Sequence, residues 1–433
     1  MTISVAEAGE YVEATDLYTS KDGEWVHVPM GEPEWTRPAE WLDTDVAVGQ
    51  QKMQLLLHLG GVSSTQGERA MTVWCQGAYT VDWGDGTAPQ NVATGVTATH
   101  LYNPAVLGPP TSDGKYQAMV TITPQSGQTL TALNLAQGYY TGRLWKAPVV
   151  EMVVGPSLTS LVLTTCCPYL KRIEFKSPLV MASGSGLFAS CVDLREIIGT
   201  VNITGTTAAT MFNFCYMLTK FPTLVTPNLT TANSMFNGCT SMHTAPMFDH
   251  ALVTNWSAAF ATCTALKNVP PYNTAAATNL SNLFSQCYLL EEIPEFDLAA
   301  CTLANGFFVS CPSLREVSLV NTGAVQNASQ MFNGCSLLHT IAPLDLSGAT
   351  SVANLSNIFA GCPSLRNLSF LAGKGPLFSF SIASTMLDPP TLDALYTVLP
   401  VVTGQTLTVT SAFGGLADNP AIATAKGWTV TGS

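Results

Sequence analysis

Charge is scarce in this sequence, and positive charge scarcest. Lys and Arg number 17 against 29 Asp and Glu, charged residues are 11% of the chain, and the formal net charge is −12. A general nucleic-acid binder needs a basic footprint, so no nucleic-acid partner is expected. No apolar run approaches the ~20 residues of a membrane-spanning helix, so no membrane insertion is expected. The opening "MTISVAEAGEYVEATD" has neither a basic segment nor a long apolar one. No secretory signal is read there, and the thiols are expected to be reduced, as in a cytoplasm. Catalytic fingerprints are missing as well: no H-E-x-x-H, P-loop, G-x-S-x-G or dinucleotide motif occurs. No C-x-x-C pair suggests a zinc site, and no pair of positioned carboxylates suggests glycoside cleavage. No catalytic residue, metal ligand or cofactor is assigned. The chain is expected not to be an enzyme.

What is present is a large apolar fraction, 47% of 433 residues, and a strict period. Eight of the twelve cysteines fall at 167, 191, 215, 239, 263, 287, 311 and 335, each 24 residues on, and a 27-residue step reaches Cys362. "SMFNGCTSM" at 234–242 returns as "QMFNGCSLL" at 330–338. Three residues before Cys stand Phe188, Phe212, Phe236, Phe260, Phe284, Phe308, Phe332 and Phe359. Leu or Met follows three residues after Cys, and a mostly apolar residue three further on. A period in the 20s is the signature of a leucine-rich solenoid, whose rungs cannot bury their apolar faces singly. Each "MFNGC" is expected to form a short helical turn, and each "L-x-x-I" to feed a strand stacked ~4.8 Å from the next. Cys is then a small hydrophobe packed beside Phe rather than a ligand.

The F-x-x-C-x-x-L-x-x-I pattern over about residues 158–370 resembles the BspA-like leucine-rich repeat. That resemblance implies binding rather than catalysis. It points to surface proteins of bacteria and protists and to phage tail proteins. Asn255, Asn279, Asn327 and Asn354 sit in N-x-S sequons, each eight residues before its cysteine. Their in-register position makes them an expected structural ladder bonded to turn backbones.

Before the repeat, "CQGAYTVDWGDGT" at 75–87, then His100, Tyr102 and Tyr116, have alternating strands and a tight turn. Asp82, Trp83, Gly84, Asp85 and Gly86 with those residues resemble a PKD-type β-sandwich. Two carboxylates fall short of calcium's usual six or more oxygens, so Asp82 and Asp85 are expected to form turns. The stretch "EWVHVPMGEPEWTRPAEWLDTD" is rich in Pro, Glu and Trp. Its Trp25, Trp35 and Trp41 are candidate attachment residues, with docking onto the chain's own sandwich the equal alternative. The series "W-x-R-P-x-E-W-L", sandwich and repeats is similar to N-terminal parts of phage tail and fibre proteins. After the repeat, "TLDALYTVLP", "QTLTVT" and "NPAIATAKGWTVTG" read as helix–strand units of a cap.

The expected fold is mainly β with short helices. It comprises an attachment segment (1–49), a PKD-like β-sandwich (50–127), a solenoid of about nine 24-residue rungs (128–385) and an α/β cap (386–433). The residue four after each cysteine reads Lys171, Arg195, Thr219, His243, Lys267, Glu291, Arg315, His339 and Arg366. The seven basic ones are the candidate ligand stripe. Stacked, they make either a groove for an anionic partner or a solvated strand face of alternating charge. The functional expectation is a phage virion component of tail, fibre or decoration, oligomeric within the particle. It would bind other virion proteins through residues 1–49, and its solenoid would meet a host surface polysaccharide or protein. A cellular BspA-like adhesin or interaction scaffold at the cell surface is the alternative.

Overall fold

The computed structural model describes residues 35–60, 69–135, 147–163, 167–383, 385–409 and 418–432 in full, and six further strands by backbone alone. The chain divides into two units, Met1–Trp41 and Leu42–Ser433. In the first, β1 (Ser4–Glu7) pairs with β2 (Glu10–Glu13) and β3 (Asp16–Lys21) with β4 (Glu24–Pro29), both antiparallel. The expected attachment segment thus contains two antiparallel strand pairs.

In the second unit, alternating apolar residues build a β-sandwich from β5 (Met53–Leu59), β6 (Ala70–Gln76), β7 (Tyr79–Asp82), β8 (Gln90–Val92), β9 (Thr97–Leu101), β10 (Tyr116–Pro124) and β11 (Ala132–Asn134). After the short hairpin of β12 (Tyr139–Tyr140) and β13 (Arg143–Leu144) come β14 (Val149–Val154), β15 (Ser160–Val162), β16 (Arg172–Phe175), β17 (Leu179–Met181) and β18 (Glu196–Ile198). One sheet runs β18-β16-β14-β5-β10-β7-β8 and the other β15-β11-β6-β9. Both sandwich sheets therefore continue into the solenoid. β14 pairs antiparallel with β5 and parallel with β16, and β11 pairs antiparallel with β6 and parallel with β15. Hydrogen bonding carries across the expected boundary at 127/128. The sandwich covers the first rung's open edges, the role a terminal cap must fill.

From Cys167 to Cys362 the rungs stack parallel. The Phe column forms one pile: rings 188, 212, 236, 260, 284, 308, 332 and 359 lie 5.3–5.9 Å apart and within 13° of parallel. Every one of these rings is buried.

The "MFNGC" corner is not helical. Ser234 and Gly238 adopt left-handed backbone, φ 52° and 78°. Between them the N–H groups alternate in direction. Those of Met235, Asn237 and Cys239 donate to carbonyls three residues back in the same rung. Those of Ala232, Ser234, Phe236 and Gly238 donate to Asn255, Ser257, Ala259 and Ala261 of the next rung. This satisfies the backbone of a buried corner without a helix. Neighbouring rungs repeat both left-handed positions, mostly with residues other than glycine, such as Phe214, Thr262, Gln286 and Ser310.

The expected strand after each corner is also shorter than its pattern suggests. Ladders form at β18, Glu316–Val317 and Thr340–Ile341, whereas intermediate rungs keep single bridges such as Thr244↔Asn268. Pro222, Pro246, Pro270 and Pro294 fall seven residues after Cys in four successive rungs. Proline lacks the ladder's N–H, so it stops the strand there.

The cap follows its sequence pattern: helices Pro389–Val398 and Ala421–Thr424 alternate with parallel strands Phe380–Ser381, Gln405–Thr408 and Trp428–Thr431. No helix among the described residues is long and apolar enough to cross a membrane.

Candidate binding face

The thiols turn inward. Cys215 Sγ donates to the Phe188 carbonyl oxygen at 3.1 Å, and Cys239, Cys263, Cys287, Cys311 and Cys335 repeat the bond to the Phe 27 residues earlier at 2.9–3.3 Å. Cys362 does the same to Phe332 at 3.0 Å. Each Phe carbonyl between 212 and 332 also accepts the N–H of its own rung's cysteine. Burial pushes these thiols up, Cys311 and Cys362 to about 12, so the reactive thiolate is suppressed. Among the described residues, no group of three or more His, Cys, Asp and Glu is arranged to hold a metal. Cys166 lies outside the described residues.

Three of the four sequon asparagines have the expected structural role, whereas Asn354 Nδ2 donates to Thr350 Oγ1 at 2.8 Å. Asn255, Asn279 and Asn327 each accept, through Oδ1, the backbone N–H of the serine two residues on, at 3.0–3.1 Å. Asn255, Asn279 and Asn327 also sit at parallel bridge positions. Asp82 Oδ1 accepts from the Gly84 N–H and Asp85 Oδ1 from the Thr87 N–H, closing the turns expected of them. Asp85 Oδ2 lies 2.7 Å from His100 Nε2, and the His100 ring stacks on Trp83.

The stripe stacks in three hydrogen-bonded runs. The Arg195 N–H donates to Lys171, Thr219 to Arg195, Lys267 to His243, Arg315 to Glu291, His339 to Arg315, and Arg366 to His339, each carbonyl 2.8–3.0 Å away. Lys267, Arg315 and Arg366 are exposed, and Lys171, Arg195, His243 and His339 are half-buried. Glu291 interrupts the line and pairs with Arg315 at 3.3 Å. The neighbouring column is internally compensated in its first rungs, whereas Glu292 and Glu316 further along it are exposed. Arg172, 12% exposed, meets Glu151 at 2.5 Å, Glu174 at 2.8 Å and Glu196 at 2.7 Å, and Lys220 lies 3.6 Å from Glu196. Partial burial opposes charge at Glu174, but Lys176 and Arg172 hold its carboxyl below the usual value.

Of the attachment candidates, Trp35 and Trp41 come together with ring centroids 6.0 Å apart, and the Arg37 guanidinium lies over Trp41. Trp41 is buried. Trp25 is on β4, and its side chain lies outside the described residues.

Sequence reasoning missed a row of exposed rings at the corner preceding the stripe. Phe214 and Tyr216 are each 40% exposed and Tyr288 45%. Tyr216 and Tyr288 occupy the same repeat position, one residue after Cys, which was the available signal.

A family described as "Mycoplasma protein of unknown function, DUF285" matches this region in three overlapping windows, 206–316, 230–344 and 254–369. Those windows span the middle rungs and leave the sandwich and the hairpins outside. No curated protein and no solved structure matches the chain. The match and the stacked rungs fit a BspA-like repeat protein.

Proposed function

We propose that this chain is a non-catalytic component of a phage virion, in the tail, a fibre or a surface decoration, whose solenoid serves adhesion or receptor binding. The observation that carries a binding role is the stripe: the stacked rungs place Arg195, Lys267, Arg315 and Arg366 at one repeat position on an otherwise acidic molecule. Local positive potential on such a face favours an anionic partner. The free, buried thiol columns are consistent with folding in a reducing compartment, which suits a protein assembled in a host cytoplasm. The separate N-terminal unit supports an attachment role for that end, toward other virion proteins. Lysates fractionated on a density gradient test the proposal. The chain should band with tail-bearing particles and withstand detergent extraction of membranes.

A cellular adhesin is the second reading, favoured by the family match to a Mycoplasma description. Recovery of the chain in the cell envelope, with none in the particle band, would establish that reading instead.

A further inference from the structure

The exposed corner rings deepen the proposed binding role, on which this inference rests, by naming its ligand. Phe214 has a left-handed backbone with φ 60°, a conformation that disfavours bulky side chains, yet its ring stays 40% exposed. The ring lies across the next rung, where a Cβ on Gly238 would come within 2.7 Å of it. Tyr216 adjoins it, ring centroids 5.9 Å apart. Three rungs on, ~14 Å at the strand spacing, Tyr288 presents the same position. Between them Thr240 Oγ1 donates to the Tyr216 carbonyl at 3.1 Å and Thr264 Oγ1 to Thr240 at 3.5 Å. Those hydroxyl protons are spent inward, which leaves oxygen lone pairs to accept hydrogen bonds from a ligand's O–H groups. Three residues beyond each corner position runs the stripe, with Arg195 and Lys267 flanking this row.

We infer that the corner from Phe214 to Tyr288, with the adjoining cations, binds a linear polysaccharide bearing carboxylates. Its sugar rings would lie on the aromatic faces, its hydroxyls would donate to Thr240 and Thr264, and its carboxylates would meet Arg195 and Lys267. Charge density selects this ligand over nucleic acid. Duplex DNA carries a charge every ~1.7 Å and needs a dense basic footprint, whereas the stripe offers cations one to three rungs apart, ~5 to 14 Å. A chain net charge of −12 repels dense polyanions further.

The full chain is titrated with polygalacturonate, neutral dextran and polyphosphate at low and moderate salt. Its variants are Tyr216→Ala/Tyr288→Ala and Lys267→Gln. Polygalacturonate should bind best, about tenfold weaker after loss of both rings with the salt dependence retained. Lys267→Gln should flatten that salt dependence. Polygalacturonate binding that ignores the tyrosines, or polyphosphate binding as tightly, overturns the inference in favour of plain charge attraction. No polygalacturonate binding in a chain that still adsorbs to cells overturns it and leaves the binding role standing.

Discussion

Each repeat cysteine from 215 to 362 shares a Phe carbonyl with the preceding rung, so its sulfur both fills space and donates a hydrogen bond. Cys263→Ala should cost about 1–2 kcal/mol, the bond plus a small cavity, whereas Phe260→Ala removes a whole ring from the pile and should cost about 3–5 kcal/mol. Denaturant titration measures both. Native thiols should react slowly with alkylating reagents until unfolding, because burial keeps them protonated. A second residue gives a pH signature. His250 Nδ1 accepts the Asn273 N–H at 3.0 Å, and burial lowers its pKa from 6.5 against the opposing pull of Asp249. The unfolded chain therefore binds the proton more readily. Stability should fall as pH drops through about 6.5, and level off below the folded value. His250→Asn should reduce that slope in melts between pH 7 and 5. The columns themselves were legible because a 24-residue step repeats each side-chain environment. The thiol's acceptor was not, since it is a backbone oxygen 27 residues away that no residue type announces.

At the scale of elements, the corner and the strand both departed from their sequence patterns for local reasons. "MFNGC" resembles one turn of helix, but left-handed residues at both ends force alternate N–H groups toward the next rung. The strand pattern L-x-x-I is followed in four rungs by a proline, and those prolines cut the ladder. The join between sandwich and solenoid was hidden for another reason: "VVEMVV" of β14 is buried along its whole length and carries no periodicity that names its partners. Within it, Glu151 is fully buried and answered by Arg172 of the next rung. Arg172→Ala would leave that carboxylate buried without its guanidinium and should cost about 3–5 kcal/mol. Arg172→Met with Glu151→Leu should recover much of the loss, since a buried ion pair is often replaceable by apolar packing. Thermal or chemical unfolding of the two variants tests this. Equal loss in both would mean that the network, not the lone charge, holds the join.

At the largest scale, the second unit is a run of rungs, each stabilised chiefly by its neighbours, with the sandwich before it and the helix–strand cap after it. The N-terminal hairpins belong to the other unit. Deleting residues 1–34 should leave the melting transition of the remainder nearly unchanged while preventing incorporation into particles. Normal occupancy of the shortened chain would place attachment elsewhere. The function proposed for the stack requires that its stripe meet a partner, and this was the least legible part of the sequence. Basic residues in a column look the same whether they bind a ligand or merely face water. Lys267→Glu, Arg315→Glu and Arg366→Glu together decide between them, because all three are exposed and their surface charges add little to folding. Adsorption of the full chain to intact host cells, measured at low and moderate salt, is the direct test. The wild type should adsorb more strongly at low salt, and the folded triple variant should lose most of that adsorption. Unchanged adsorption by the folded variant would contradict the account and make the stripe a solvated strand face.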